Sequence, residues 1–99
     1  MTYRIQYSWR VPMGRKDEFL AAWARTTDAI HAATPGARGS LCLRAAEDSG
    51  RFITQAVWDD LDQWRAFVRT ARGDQMRAMH EIATLESTEA FELVEDRTR

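Results

Sequence analysis

Cysteine is almost missing from this chain: Cys42 stands alone among 99 residues, so no intrachain disulfide can staple the fold and a secreted disulfide scaffold is excluded. Proline occurs twice and glycine five times, which leaves no flexible linker or low-complexity tract. No run approaches the roughly 20 apolar residues of a membrane-spanning helix. The opening residues alternate charge with ring, where a signal peptide would place an apolar run behind a basic start, so none is expected. Excess charge of either sign is missing as well. Fourteen basic residues face fifteen acidic ones, a net charge of -1 that removes the electrostatic drive toward nucleic acid or an anionic membrane. Also absent are a Gly-rich phosphate loop, a CxxC pair and a His/carboxylate ligand cluster. A reducing, cytoplasmic setting is the expectation.

What the chain does have is rings. Of its residues 44 % are apolar or aromatic, and ten are Phe, Trp or Tyr, four of them Trp. A chain of this length makes a single domain, spanning residues 1–99 with an ordered core over about 3–95, and buries only roughly 60 to 65 % of its unfolded surface. The surplus of large rings therefore predicts a partner subunit or a ligand pocket.

Hydrophobic period places the elements. From Tyr3 to Val11 rings and aliphatics alternate with Arg4, Gln6, Ser8 and Arg10, the pattern of a strand covered on one face. Pro12-Met-Gly14 breaks it. Arg15 to Ala33 then carries Phe19, Leu20, Trp23, Thr27 and Ile30 at helical spacing, with Asp17 and Glu18 near the favourable N-terminus and His31 near the C-terminus. Thr34-Pro-Gly36 stops this helix. Strands over Gly39–Ala46 and Arg51–Trp58 flank a Glu47-Asp-Ser-Gly50 hairpin tip. Asp59 or Asp60 caps a helix holding Leu61, Trp64, Phe67 or Val68, and Ala71. Gly73-Asp74 restarts the pattern for a helix with Met76, Met79, His80 and Ala83, and a final strand is predicted over Ser87–Glu95.

Strand-helix-strand twice over is the α+β, ferredoxin-like arrangement βαββ(αα)β, an antiparallel sheet with its helices on one face. The other face is then bare. Ser40, Cys42, Arg44, Ile53, Gln55 and Val57 are expected there, a mixture suited to sheet-to-sheet contact in a homodimer.

Val11-Pro-Met-Gly14 running into Glu18-Phe-Leu-Ala-Ala-Trp23, Thr34-Pro-Gly36 followed by Gly39-Ser40, and the Val57-Trp-Asp-Asp60 junction together resemble the antibiotic biosynthesis monooxygenase family of dimeric α/β barrels, over about residues 3 to 95. The resemblance implies a dimer whose sheets form a barrel, with a pocket in each subunit between helices and sheet. It also implies an oxygenase of polyketide anthrones, phenols or quinols that uses neither metal nor flavin, because a deprotonated electron-rich ring can itself reduce dioxygen. Trp58 matches the Trp that ends the third strand of the anthrone-oxygenating members. Trp64 stands where those members have a pocket Tyr, and Thr54 where they bind the substrate oxygen with an Asn. In the haem-degrading branch the corresponding positions are Tyr7, Phe67 and His80; only His80 keeps the family residue, so haem stays as an alternative to a cofactor-free site.

These readings converge on a site. His80 lies near the apolar stripe of its helix, where an imidazole can accept a proton near neutral pH; the plainer reading is a half-buried ring bonded to a carbonyl. Tyr7 and Thr54 are the candidate donors to a substrate anion, and Trp58, Trp64, Phe67 and Met76 the pocket wall for a small aromatic substrate. A carrier or stress-associated protein holding a planar ligand without catalysis is the rival function.

Overall fold

The computed structural model describes residues 2–70 and 75–99. Strand β1 (Tyr3–Arg10) leads into helix α1 (Lys16–Ala33), the β2–β3 hairpin (Ala37–Arg44 and Arg51–Trp58), α2 (Leu61–Thr70), α3 (Arg77–Ile82) and β4 (Thr84–Glu92). The strands form one sheet in the order β2-β3-β1-β4, with every neighbouring pair antiparallel. This is the predicted α+β, ferredoxin-like architecture.

The alternation in β1 becomes packing directly. Ile5, Tyr7 and Trp9 are buried beneath the helices, and their β3 partners Ala56, Thr54 and Phe52 share that face. Phe19 of α1 fills the space above them, its ring 5.6 Å from Trp9 in an edge-on contact and 5.6 Å from Phe52. Each such fully buried ring contributes roughly 1.5–3 kcal/mol, so this cluster fixes α1 on the sheet. Trp58 meets Phe67 of α2 at 5.5 Å and closes the other end of the core.

Several boundaries differ from the sequence reading for local reasons. Strand β2 begins at Ala37, two residues early, because a bulge absorbs the extra length: Ala37 faces Trp58 and Ser40 faces Ala56. Gly39, at a φ of 106°, supplies the backbone conformation. The bulge turns the strand over, and Ser40 and Cys42 face the helices beside Ala56 and Thr54, while Leu41 and Leu43 occupy the open face. The expected placement of Ser40, Cys42 and Arg44 on the open face is corrected accordingly; Ile53, Gln55 and Val57 are there. Strand β4 starts at Thr84 instead of Ser87, since a second bulge lets Leu85 pair with Trp9 and Ser87 with Ser8. Of the two cap candidates, Asp60 accepts the Asp62 amide at 2.7 Å, and Asp59 instead receives the Arg38 guanidinium. The proposed restart at Gly73-Asp74, with Ala71 and Arg72, lies outside the described residues.

Candidate functional site

Between α1, the sheet and the start of α3 lies a partly open cavity of about 50 Å³. Strand β1 gives it Tyr7, β3 gives Thr54 and Trp58, α2 gives Phe67, and Met76 and Met79 come from the approach to α3 and α3 itself. The far wall is α1, through Trp23, Thr26, Thr27, Ile30 and His31, with Ser40 of β2 beside it. Of the seven predicted site residues, five line this space: Tyr7, Thr54, Trp58, Phe67 and Met76.

The other two stand elsewhere. His80 is exposed and lies outside the lining, its ring edge-on to Trp9 at 5.2 Å. It therefore does not meet the expectation of a base projecting into the cavity: α3 turns its buried edge, Met79, inward and carries the next residue toward solvent. Trp64 is half-buried and acts from behind the wall, its indole Nε1–H donating to the Tyr7 hydroxyl at 3.1 Å.

The polar chemistry of the lining has a common form. Trp9 Nε1–H donates to Thr54 Oγ1 at 3.1 Å, Trp64 to Tyr7 Oη at 3.1 Å, and Trp23 to Ser40 Oγ at 3.2 Å. Three indoles thus orient three hydroxyls, and all three hydroxyl residues line one cavity. Thr54 is only 3 % exposed, and no described residue accepts its own proton. A hydroxyl that accepts from an indole keeps one proton to donate, so Thr54 can donate to a group that enters the cavity. Cys42, opposite Thr54 in the β2–β3 register, is an inert neighbour because burial raises its thiol pKa.

Charge is scarce here. His31 is the sole lining side chain among the described residues that is an imidazole, carboxylate, amine or guanidinium. Sequence reasoning credited it only with complementing the dipole of α1. The missed signal was its spacing, four residues beyond Thr27 and eight beyond Trp23, which puts it on the same helical stripe. The Asp59 carboxyl, held below the ordinary carboxylate range by the Arg38 hydrogen bonds, lies outside the lining, and the Asp59 backbone N–H donates to the Gly36 carbonyl at 2.9 Å.

The space does not suit haem, and the ligand predicted for it stands elsewhere. A cavity of about 50 Å³ holds a few waters, far from the space of a macrocycle, and His80, the residue the haem alternative required as axial ligand, lies outside it.

Comparison with known proteins agrees with the fold. The oxygenase SnoaB from Streptomyces nogalater, described as cofactor-independent, superposes with a TM-score of 0.78 at 23 % identity, covering 99 % of this chain and 98 % of its own. A Bordetella bronchiseptica protein carrying the family's name gives 0.81 at 18 % identity over 92 % and 95 %. A conserved protein from Methanosarcina mazei Go1 gives 0.67 at 13 % over 91 % and 88 %. Comparison with curated protein sequences gives no match. The sequence model of the antibiotic biosynthesis monooxygenases matches residues 2–82, and the chain therefore belongs to the antibiotic biosynthesis monooxygenase family.

Proposed function

We propose that this protein is a small monooxygenase that takes a phenol or hydroquinone into the cavity and oxygenates it with dioxygen, without a bound cofactor. The observation that carries this reading is the set of indole-oriented hydroxyls in a mostly apolar cavity, with the Thr54 proton unclaimed by the described residues. The chemistry asks for little more. Loss of the substrate hydroxyl proton gives a phenolate, which passes an electron to dioxygen; recombination forms the new C–O bond. For a hydroquinone the balance is one substrate and one dioxygen giving a hydroxyquinone and one water, with all four electrons coming from the ring. A donor to the phenolate oxygen holds the anion beside an apolar wall, where hydrogen bonds are stronger than in water, a type of contact worth roughly 10²–10³ in kcat. SnoaB, similar in fold and described as cofactor-independent, supports the absence of a cofactor.

At about 50 Å³ the cavity admits even a single-ring phenol or hydroquinone only if Phe67, Met76 or Met79 moves, and a three-ring anthrone would need a larger displacement, so the small volume favours single rings. The assembly we infer is a homodimer through the open sheet face, supported by Leu41, Leu43 and Phe91, which are 39 %, 52 % and 43 % exposed there. A cytoplasmic location fits the lone Cys42; among the described residues no helix is long and apolar enough to cross a membrane. Oxygen uptake across a panel of hydroquinones, phenols and anthrones tests the activity. Tryptophan quenching by these ligands with no uptake above buffer oxidation would instead identify a carrier.

A further inference from the structure

The proposed reaction begins with loss of a proton, and Thr54, a donor, cannot take it. We propose that His31 is the general base of this cavity, accepting the hydroxyl proton of a bound phenol or hydroquinone through Nε2. This rests on the reading of the cavity as a phenol site. Three observations carry it. His31 is part of the lining that also holds Thr54 and Tyr7. Its Nδ1 lies 2.8 Å from the backbone carbonyl of Ala37. A carbonyl can only accept, so Nδ1 carries the proton, and the neutral ring presents Nε2 as its acceptor. The remaining described lining offers indoles, hydroxyls, a thioether pair and aliphatics, none of which accepts a phenol proton near neutral pH.

Local structure holds the ring in this role. His31 sits in the last turn of α1, and the chain reverses through Thr34, Pro35 and Gly36, so that β2 opens with its Ala37 carbonyl against the imidazole. Gly36 makes the reversal at a φ of 90°, and a Cβ there would run into the Gln63 side chain. The orienting partner is thus main chain, fixed by the sheet. When Nε2 takes the proton, the imidazolium keeps its Nδ1 bond to the Ala37 carbonyl. The step is a single proton transfer: the phenolic O–H breaks, N–H forms, and a phenolate–imidazolium pair results. His31 is largely exposed, so its proton can leave to solvent between turnovers.

The test separates this role from the oxygenase reading by using a phenol whose ionisation is visible. The intact protein is titrated with 4-nitrophenol in buffer below that phenol's own pKa, and the yellow phenolate band is recorded. The expected result is a bound fraction richer in phenolate than the free ligand, an enrichment lost in His31→Gln with ligand still bound. In parallel, oxygen uptake with hydroquinones is expected to fall roughly 10²-fold or more in His31→Ala and to recover partly with added imidazole, which a purely structural residue would not show. An unchanged phenolate band in His31→Gln overturns the assignment, as does loss of the band in His80→Ala but not in His31→Gln. A His31-dependent band with no oxygen uptake upholds the base and overturns the oxygenase reading.

Discussion

Replacing Thr54 with Val tests the pairing of indole and hydroxyl where its energetics are clearest. The substitution keeps the shape of the side chain and removes only the hydroxyl, leaving Trp9, which is fully buried, with an Nε1–H that has lost its acceptor. Stranding a buried donor costs about 1–3 kcal/mol. For a domain of this length each kcal/mol moves Tm by roughly 4–8 °C, so a loss near the middle of that range lowers Tm by about 8–16 °C. The same substitution in a Trp9→Phe background meets no stranded donor and should cost little, giving a coupling energy of about 1–2 kcal/mol between the two positions. Thr54→Ser retains the bond and should lose only the methyl, about 0.8 kcal/mol. Thermal and urea unfolding of the four members of the cycle supply the numbers. A Thr54→Val penalty of the same size in both backgrounds would refute the claim that Trp9 and Thr54 act as a unit. With Thr54 no longer able to donate, oxygen turnover should also fall, mainly in kcat and by roughly 10².

Other consequences are open to simpler measurements. Leu43→Glu, which puts a charge on the exposed open face, should shift sedimentation from dimer to monomer, whereas an unchanged sedimentation coefficient would remove that face from the interface. Cys42, half-buried with its thiol pKa raised by desolvation, should alkylate slowly at neutral pH and quickly once urea unfolds the chain; rapid labelling of the native protein would contradict its placement beneath the helices. The Asp48 and Asp59 carboxyls are depressed chiefly by hydrogen bonds from Arg10 and Arg38. Because their folded pKa values lie below the unfolded ones, these groups add stability above about pH 4 and lose it as the pH falls through the folded values. Asp59→Asn should therefore flatten the acid limb of the stability profile, and added salt should do so for the parent protein.

The order of elements was legible because β1 keeps a strict period of two and α1 a helical stripe, so each announces its covered face. The errors came where the backbone departs from those periods. A bulge between Ala37 and Ser40 reverses which side of β2 is inward, and alternation alone cannot register a bulge; Gly39 was its only trace in the sequence. The early start of β4 was hidden likewise, by the irregularity opposite Ser8 and Trp9. The cavity wall was readable where a large ring ends a strand, as at Trp58, or lies on the apolar face of the helix that follows, as at Phe67. The two histidines were harder. Both lie on helices near apolar stripes, but α3 packs through Met79 and carries His80 outward, while the turn after α1 brings the Ala37 carbonyl to His31. That contact joins residues across a chain reversal, and helical spacing alone does not foresee it.

The central claim is that the cavity turns over an electron-rich ring with dioxygen and nothing else. Purified protein, stripped of metal by chelation, is incubated with a hydroquinone under isotopically labelled dioxygen, and uptake and product mass are followed together. The account predicts uptake above buffer oxidation, equimolar with substrate, one labelled oxygen atom in the hydroxyquinone and the other in water. Ligand binding without enhanced uptake, or product carrying oxygen from solvent alone at the first turnover, would contradict it.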